Sequence, residues 1–184
     1  MRRLILQTSI SIDGYVAALD RSHPWNEGGG GDEAVRQWIL DSVWGAGAHL
    51  MGRVTYEEMS TAWPGSTSDF ARPMNEIPKV VFSRTLKQAD WAETRIAGGD
   101  LAEEVAALKR EPGKDLIAYG GARLDQALTR LGLVDEFRLM VQPAALGAGL
   151  PLFKDLPAPI QLELVEATTY PSGLAIHIYR PRAA

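Results

Sequence analysis

Three segments carry residues suited to holding an anion. In "HLMGRVTYEEM" an apolar run ends at Gly52, and Arg53 and Thr55 follow where a helical pattern begins. In "KVVFSRTL" a similar run ends at Ser83, Arg84 and Thr85. In "LIAYGGARL" it ends at Gly120 and Gly121, ahead of Ala122, Arg123 and Leu124. Glycine lets another molecule approach the backbone, a helix start offers free N–H groups, and arginine and hydroxyl side chains suit phosphate oxygens. Each feature also has a plainer use, as a turn, a solvated arginine or an ordinary loop. A helix terminus offers an anion only about 0.3–1 kcal/mol, whereas micromolar binding needs about 8 kcal/mol. Charge-assisted hydrogen bonds from Arg53 and Arg84, each about 1.5–3 kcal/mol, must supply much of the polar affinity.

These segments need elements to place them. Residues 3–10 read as a buried strand, 14–31 as a loop ending in "EGGGGD", and Asp32 as the N-cap of a helix bearing Val35, Trp38, Ile39 and Val43. Strands are expected at 48–51, 79–83 and 93–97, with a helix from Arg53 and a Pro-, Ser- and Gly-bearing stretch at 64–78. All three anion-suited segments are expected to be strand-to-helix junctions. Asp100 and Glu103 form a capping box ahead of "LAEEVAALKR". The strand "DLIAY", the helix "ARLDQALTRL", the strand "EFRLMVQ" and the loop "ALGAGLP" follow, and two strands around "YPSG" close the chain as a hairpin. The order predicts an α/β fold with a mostly parallel central sheet flanked by helices and an antiparallel C-terminal hairpin. In such sheets ligands gather at the carboxyl ends of strands.

Composition narrows the function. A chain of 184 residues, 46% hydrophobic and 23% charged, fits a single domain over 1–184. A formal charge of −4 argues against nucleic acid as partner, and no apolar run reaches membrane-spanning length. Zero cysteines exclude disulfides and thiolate metal sites and suit a reducing, cytoplasmic setting. His23, His49 and His177 lack a second ligand at metal spacing, so no metal is expected. No G-x-G-x-x-G follows the first strand, and the glycine run 28–31 has no strand before it, which argues against a Rossmann domain and a P-loop.

The ordered set "SIDGYVA", "MGRVTYE", "VVFSRTL", "IAYGGARL" and "DEFRLMVQPAALGAGLPLF" resembles the dihydrofolate reductase (DHFR)-like superfamily. It is closest to stand-alone relatives of the reductase domain of the riboflavin-biosynthesis deaminase-reductases. The resemblance implies a DHFR-like fold, NADPH as cofactor and a homodimer. It places Gly52, Arg53 and Thr55 on phosphate, Ser83 and Arg84 on the 2′-phosphate, and Gly120, Gly121, Ala122, Arg123 and Leu124 near the pyrophosphate or nicotinamide ribose. The "SIDG" turn then lies by the nicotinamide, and the "ALGAG" loop, with Gly147 and Gly149, on the substrate side. Asp13 is the first candidate for proton relay and Asp32 the second, although "DG" is also a favourable turn pair and Asp32 an N-cap. Trp25 and Trp63 are candidates to stack on a flat heterocycle. Gln7 stands where the riboflavin reductases carry a lysine, and Ile77 where dihydrofolate reductases carry a folate-clamping arginine. Both departures argue against those families' own substrates. The expectation is an NADPH-dependent reductase of a small heterocyclic or carbonyl/imine substrate, with a nucleotide-binding sensor without turnover as the alternative.

Overall fold

The computed structural model describes residues 1–25 and 32–182. The glycine run 28–31 and the end of the 14–31 loop lie outside the described residues. Among the described residues, eight strands form one sheet in the order β5-β4-β3-β6-β1-β7-β10-β9. They are β1 (Leu4–Ser11), β3 (Ala48–Gly52), β4 (Lys79–Phe82), β5 (Thr94–Ala97), β6 (Leu116–Ala118), β7 (Glu136–Gln142), β9 (Leu162–Thr169) and β10 (Ala175–Pro181). All neighbours from β5 to β7 pair in parallel, and β10 runs antiparallel to both β7 and β9. The C-terminal hairpin closes at Gly173, where its positive φ of 85° suits a residue without a side chain.

Among the described residues, five helices cover the two faces: α1 (Glu33–Gly45), α2 (Arg53–Ala62), α3 (Ala71–Glu76), α4 (Leu101–Arg110) and α5 (Ala122–Arg130). Alternation along β1 sends Leu4, Leu6 and Ile10 to one side, where they pack with Val105 and Leu108 of α4 and Leu124 and Leu128 of α5. On the other side Val43 of α1, Tyr56 of α2 and Met74 of α3 pack on Met51 and Val81. Val35 of α1 meets Met140, Ile176 and Ile178 farther along that face. Gln7 also points to this face. It is buried and accepts a hydrogen bond from Ser42 of α1 at 2.5 Å.

Three expectations are corrected. The stretch 64–78 contains α3, whose Ala71, Pro73 and Met74 are buried against the sheet. The loops at 14–31 and 145–151 contribute β2 (Tyr15–Ala17) and β8 (Leu150–Pro151), which pair with each other as a small antiparallel ribbon. No helix follows β4: Ser83 Oγ accepts from Thr85 N at 3.2 Å and Leu86 N at 2.9 Å, and this hydroxyl turn carries the chain away from the sheet.

Candidate functional site

The sheet inserts β6 between β3 and β1, so the strand ends at Gly52 and Gly120 become neighbours. Gly52 N–H donates to the Gly120 carbonyl at 3.3 Å. Gly121, at φ 74°, packs so tightly on α2 that a Cβ there would lie 2.9 Å from Thr55 Oγ1. The starts of α2 and α5 therefore lie side by side. Neither has a side-chain cap, since Gly52 and Gly121 occupy the N-cap positions. By contrast, Asp32 caps α1 through Ala34 N, and Asp100 caps α4 through Ala102 N and Glu103 N. Two adjoining, uncapped helix starts concentrate unpaired N–H groups and the positive ends of two helix dipoles.

Around this pair the expected residues divide. Thr55 is buried against the turn, and Leu124 is packed in the core. Ala122 and Arg123 form the first two positions of α5, with Arg123 exposed. Arg53 donates to both carboxylate oxygens of Glu57, at 2.7 and 3.0 Å, in an exposed ion pair along α2. Ser83 lies one strand beyond Gly52, and its N–H donates to Ala97 at the end of β5. Arg84 follows it, exposed. A further glycine pair, Gly98–Gly99, lies beside Ser83, and a Cβ on Gly98 would meet the Ser83 carbonyl at 3.4 Å. Its signal in the sequence was the same glycine-after-strand pattern, in "RIAGGD".

On the β1 side, Asp13 ties two loops together. Its carboxylate accepts from Ser11 Oγ at 2.6 Å, from Gly147 N at 2.7 Å and from Leu146 N at 3.1 Å. The Ser11 bond and then the Gly147 bond hold its pKa below the usual aspartate value. The brace leaves Ile12 outside it, 66% exposed at the lip of the turn. Gly149 owes its lack of a side chain to packing, because a Cβ would lie 2.5 Å from the Ala17 carbonyl and 3.1 Å from Tyr15. Trp25 stands against His23, ring centroids 5.8 Å apart. Trp63 ends α2 and packs on Phe70, which sets it about 16 Å along the helix from Gly52. It is not brought to the paired helix starts.

Ile77, at the end of α3, packs with Ile5, Ala46 and Ile117. The position is a partly buried contact, so an apolar residue suits it.

The opposite edge of the sheet carries a groove of about 720 Å³ lined by Arg2, Lys79, Arg95 and Lys114 among others. Two of its cations are already engaged. Arg2 Nε donates to the Lys114 carbonyl, and Lys79 Nζ donates to the carbonyls of Met74, Asn75 and Ile77. Among the described residues no group of three His, Cys, Asp or Glu side chains is placed to hold a metal ion, and no helix is long and apolar enough to cross a membrane.

The family model of the RibD C-terminal domain matches residues 2–176. The chain belongs to this family. It is 32% identical to the uncharacterized protein YyaP of Bacillus subtilis (strain 168), over 97% of this chain and 94% of that one. Its fold is shared with a protein of Shewanella sp. PV-4 provisionally assigned to riboflavin biosynthesis, at TM-score 0.81 and 20% identity over 98% and 99% of the two chains. It is also shared with dihydrofolate reductase from Enterococcus faecalis, solved with NADP(H), at TM-score 0.65 and 12% identity over 98% and 97%. The RibD C-terminal-domain fold is thus the DHFR-like one read from the ordered motifs, and it is a reductase-type scaffold. In this member the paired starts of α2 and α5 occupy the carboxyl edge of that scaffold.

Proposed function

We propose that this chain is a single-domain, NADPH-dependent reductase acting on a small heterocyclic or carbonyl/imine substrate. The observation that carries the reading is the pair of uncapped helix starts at Gly52 and Gly121 on adjacent strands. Their unpaired N–H groups fit phosphate, and the exposed Gly121, with the half-buried Ala122, leaves backbone where a bulky ligand can approach, Gly120 itself being buried. Arg123 and Arg53 add positive charge at the two helix starts, Arg53 once it exchanges Glu57 for the ligand. Ser83 and the exposed Arg84 would take the 2′-phosphate, favouring NADPH over NADH.

When bound, the cofactor supplies a hydride to the substrate. The chain's own residues position and shield. The Asp13 brace fixes the turn bearing Ile12 against the 144–149 loop, so both sides of the substrate region move as one unit. Trp25 and the backbone at Gly147 and Gly149 line that side. Asp32 caps α1 through Ala34 N. We place the protein in the cytoplasm. We also assign a homodimer formed along β9, an edge strand with Leu164 and Val165 exposed.

One observation favours a second reading. The depressed pKa of Asp13 leaves it no proton to give at neutral pH, and Asp32 is taken up in capping α1 through Ala34 N. An NADP(H)-binding sensor without turnover would need no proton donor. Titration with NADPH and NADH by tryptophan quenching, followed by NADPH oxidation with pterins, flavin precursors and simple carbonyls, separates the two. Saturable binding with oxidation of one substrate supports the reductase, binding without oxidation supports the sensor, and no binding refutes both.

A further inference from the structure

Among the described residues, the buried side-chain polar atoms without a hydrogen-bond partner are His49 Nδ1, Tyr119 OH, Asp125 Oδ1 and Thr129 Oγ1. Asp125 and Thr129 are one helical turn apart on the inner stripe of α5, beside Leu124 and Leu128. Asp125 is 1% exposed. Its Oδ2 lies where a Cβ on Gly120 would come within 2.7 Å, so the carboxyl packs directly against the Gly120 backbone, at the start of α5. A buried carboxylate with neither cation nor donor is strongly disfavoured, and the group keeps its proton instead. Burial alone raises its pKa, to about 8.

The titratable and charged groups nearby do not answer it. On α2, Arg53 is paired with Glu57, and the residue meeting the turn is the neutral Thr55. Just past β6, Tyr119 turns to His49 on the other face of the sheet. On α5, Arg123 and Arg130 are exposed, and the Glu104 carboxylate of α4 lies against Gly99.

We propose that Asp125 sits under the Gly120–Gly121 turn as a neutral carboxylic acid, and that its ionisation drives phosphate-bearing ligands out of the cleft between α2 and α5. This rests on the nucleotide reading above. In the acid form the helix start keeps its full attraction for an anion. In the ionised form a fixed negative charge is buried within the first turn of α5, where it cancels the dipole and repels phosphate. Asp125 is therefore a positioning residue that gates affinity without touching the reacting atoms. Affinity is full below the carboxyl's titration and lost as pH rises through it.

The test measures NADPH dissociation constants from pH 7 to 9.5 for the full chain and for Asp125→Asn, which keeps the shape but cannot ionise. The ligand's own phosphates are already ionised over most of this range. Lys79, also lowered to about 8, lies at the opposite edge and is common to both proteins. The wild type should weaken by roughly tenfold or more, the size a unit charge exerts over several ångströms at protein permittivity. Asp125→Asn should change less than threefold; Asp125→Leu serves if the Asn variant does not fold. In parallel, infrared spectra of the ligand-free proteins should show a protonated-carboxyl band at pH 7 that disappears by pH 9.5 in the wild type and is absent from the variant. Equal pH slopes in both proteins, or no such band, would overturn the proposal. Absence of NADPH binding by both at every pH, with the band present, would overturn the nucleotide reading and the gating step while leaving Asp125 a neutral acid.

Discussion

A Cβ on Gly121 would lie 2.9 Å from the Thr55 hydroxyl, so the close approach of α5 to α2 is built on the absence of a side chain. Gly121 also has a φ of 74°, which a β-branched residue adopts only under strain. Gly121→Val should therefore lose about 1–3 kcal/mol of stability with no ligand present. Chemical denaturation checks this, and an unchanged midpoint would refute the tight packing. Gly52→Ala is the cleaner probe of ligand approach. Gly52 has φ −80°, and its Cβ would find only Leu124 Cβ at 3.8 Å. The melting temperature should stay within a few degrees, while the NADPH dissociation constant rises about tenfold through lost backbone access.

Arg84 separates the two nicotinamide cofactors. If it takes the 2′-phosphate, Arg84→Ala should raise the NADPH dissociation constant by about tenfold, one charge-assisted hydrogen bond, and leave NADH within twofold. Parallel losses for both cofactors would remove the assignment.

Asp13 should act on loop order. Its pKa is held low by the Ser11 hydroxyl and the Gly147 amide, so its contribution is present above the unfolded aspartate pKa and is lost as pH falls through the folded one. Asp13→Ala should speed amide hydrogen exchange at Leu146 and Gly147 several-fold at neutral pH. The wild type should show the same loosening only in acid. Unchanged exchange in the variant would show that the brace holds the loop without Asp13.

His49 sets an acid limit on the fold. It is fully buried, its Nε2 lies 3.3 Å from the Pro73 carbonyl, and burial lowers its pKa to about 4. The unfolded imidazole protonates near its ordinary value while the folded one does not. Stability should thus be complete above about pH 6.5 and fall by about 3 kcal/mol on descending to pH 4. Asp125 works in the opposite sense, because a raised carboxyl pKa removes stability as pH rises from about 4 to 8. The measurement is therefore a difference: the urea midpoint of the wild type should fall relative to that of His49→Phe between pH 7 and pH 4. A constant gap would mean that His49 does not titrate with unfolding.

The types and order of the main elements were legible because they rest on local physics. Alternation and apolar runs marked β1, β3, β4 and β7, and Asp32 and Asp100 announced α1 and α4 as N-caps, as both are. The glycines of "LMGR" and "AYGG" marked the ends of β3 and β6. The β2–β8 ribbon was not legible, since its partners are remote in sequence and too short to carry a pattern of their own. The α3 helix, only six residues long, fell below any periodic signal for the same reason.

By itself the sequence determined which residues could bind an anion and that they end strands of an α/β sheet. Only the tertiary structure decided which of them meet. Strand order is a property of crossovers, so the insertion of β6 beside β3 joins Gly52 to Gly120 through a hydrogen bond that no local pattern encodes. Burial is likewise a property of the whole packing. Asp125 reads as an ordinary first-turn acid until the Gly120 turn and the core close over it, and desolvation then makes it a neutral one.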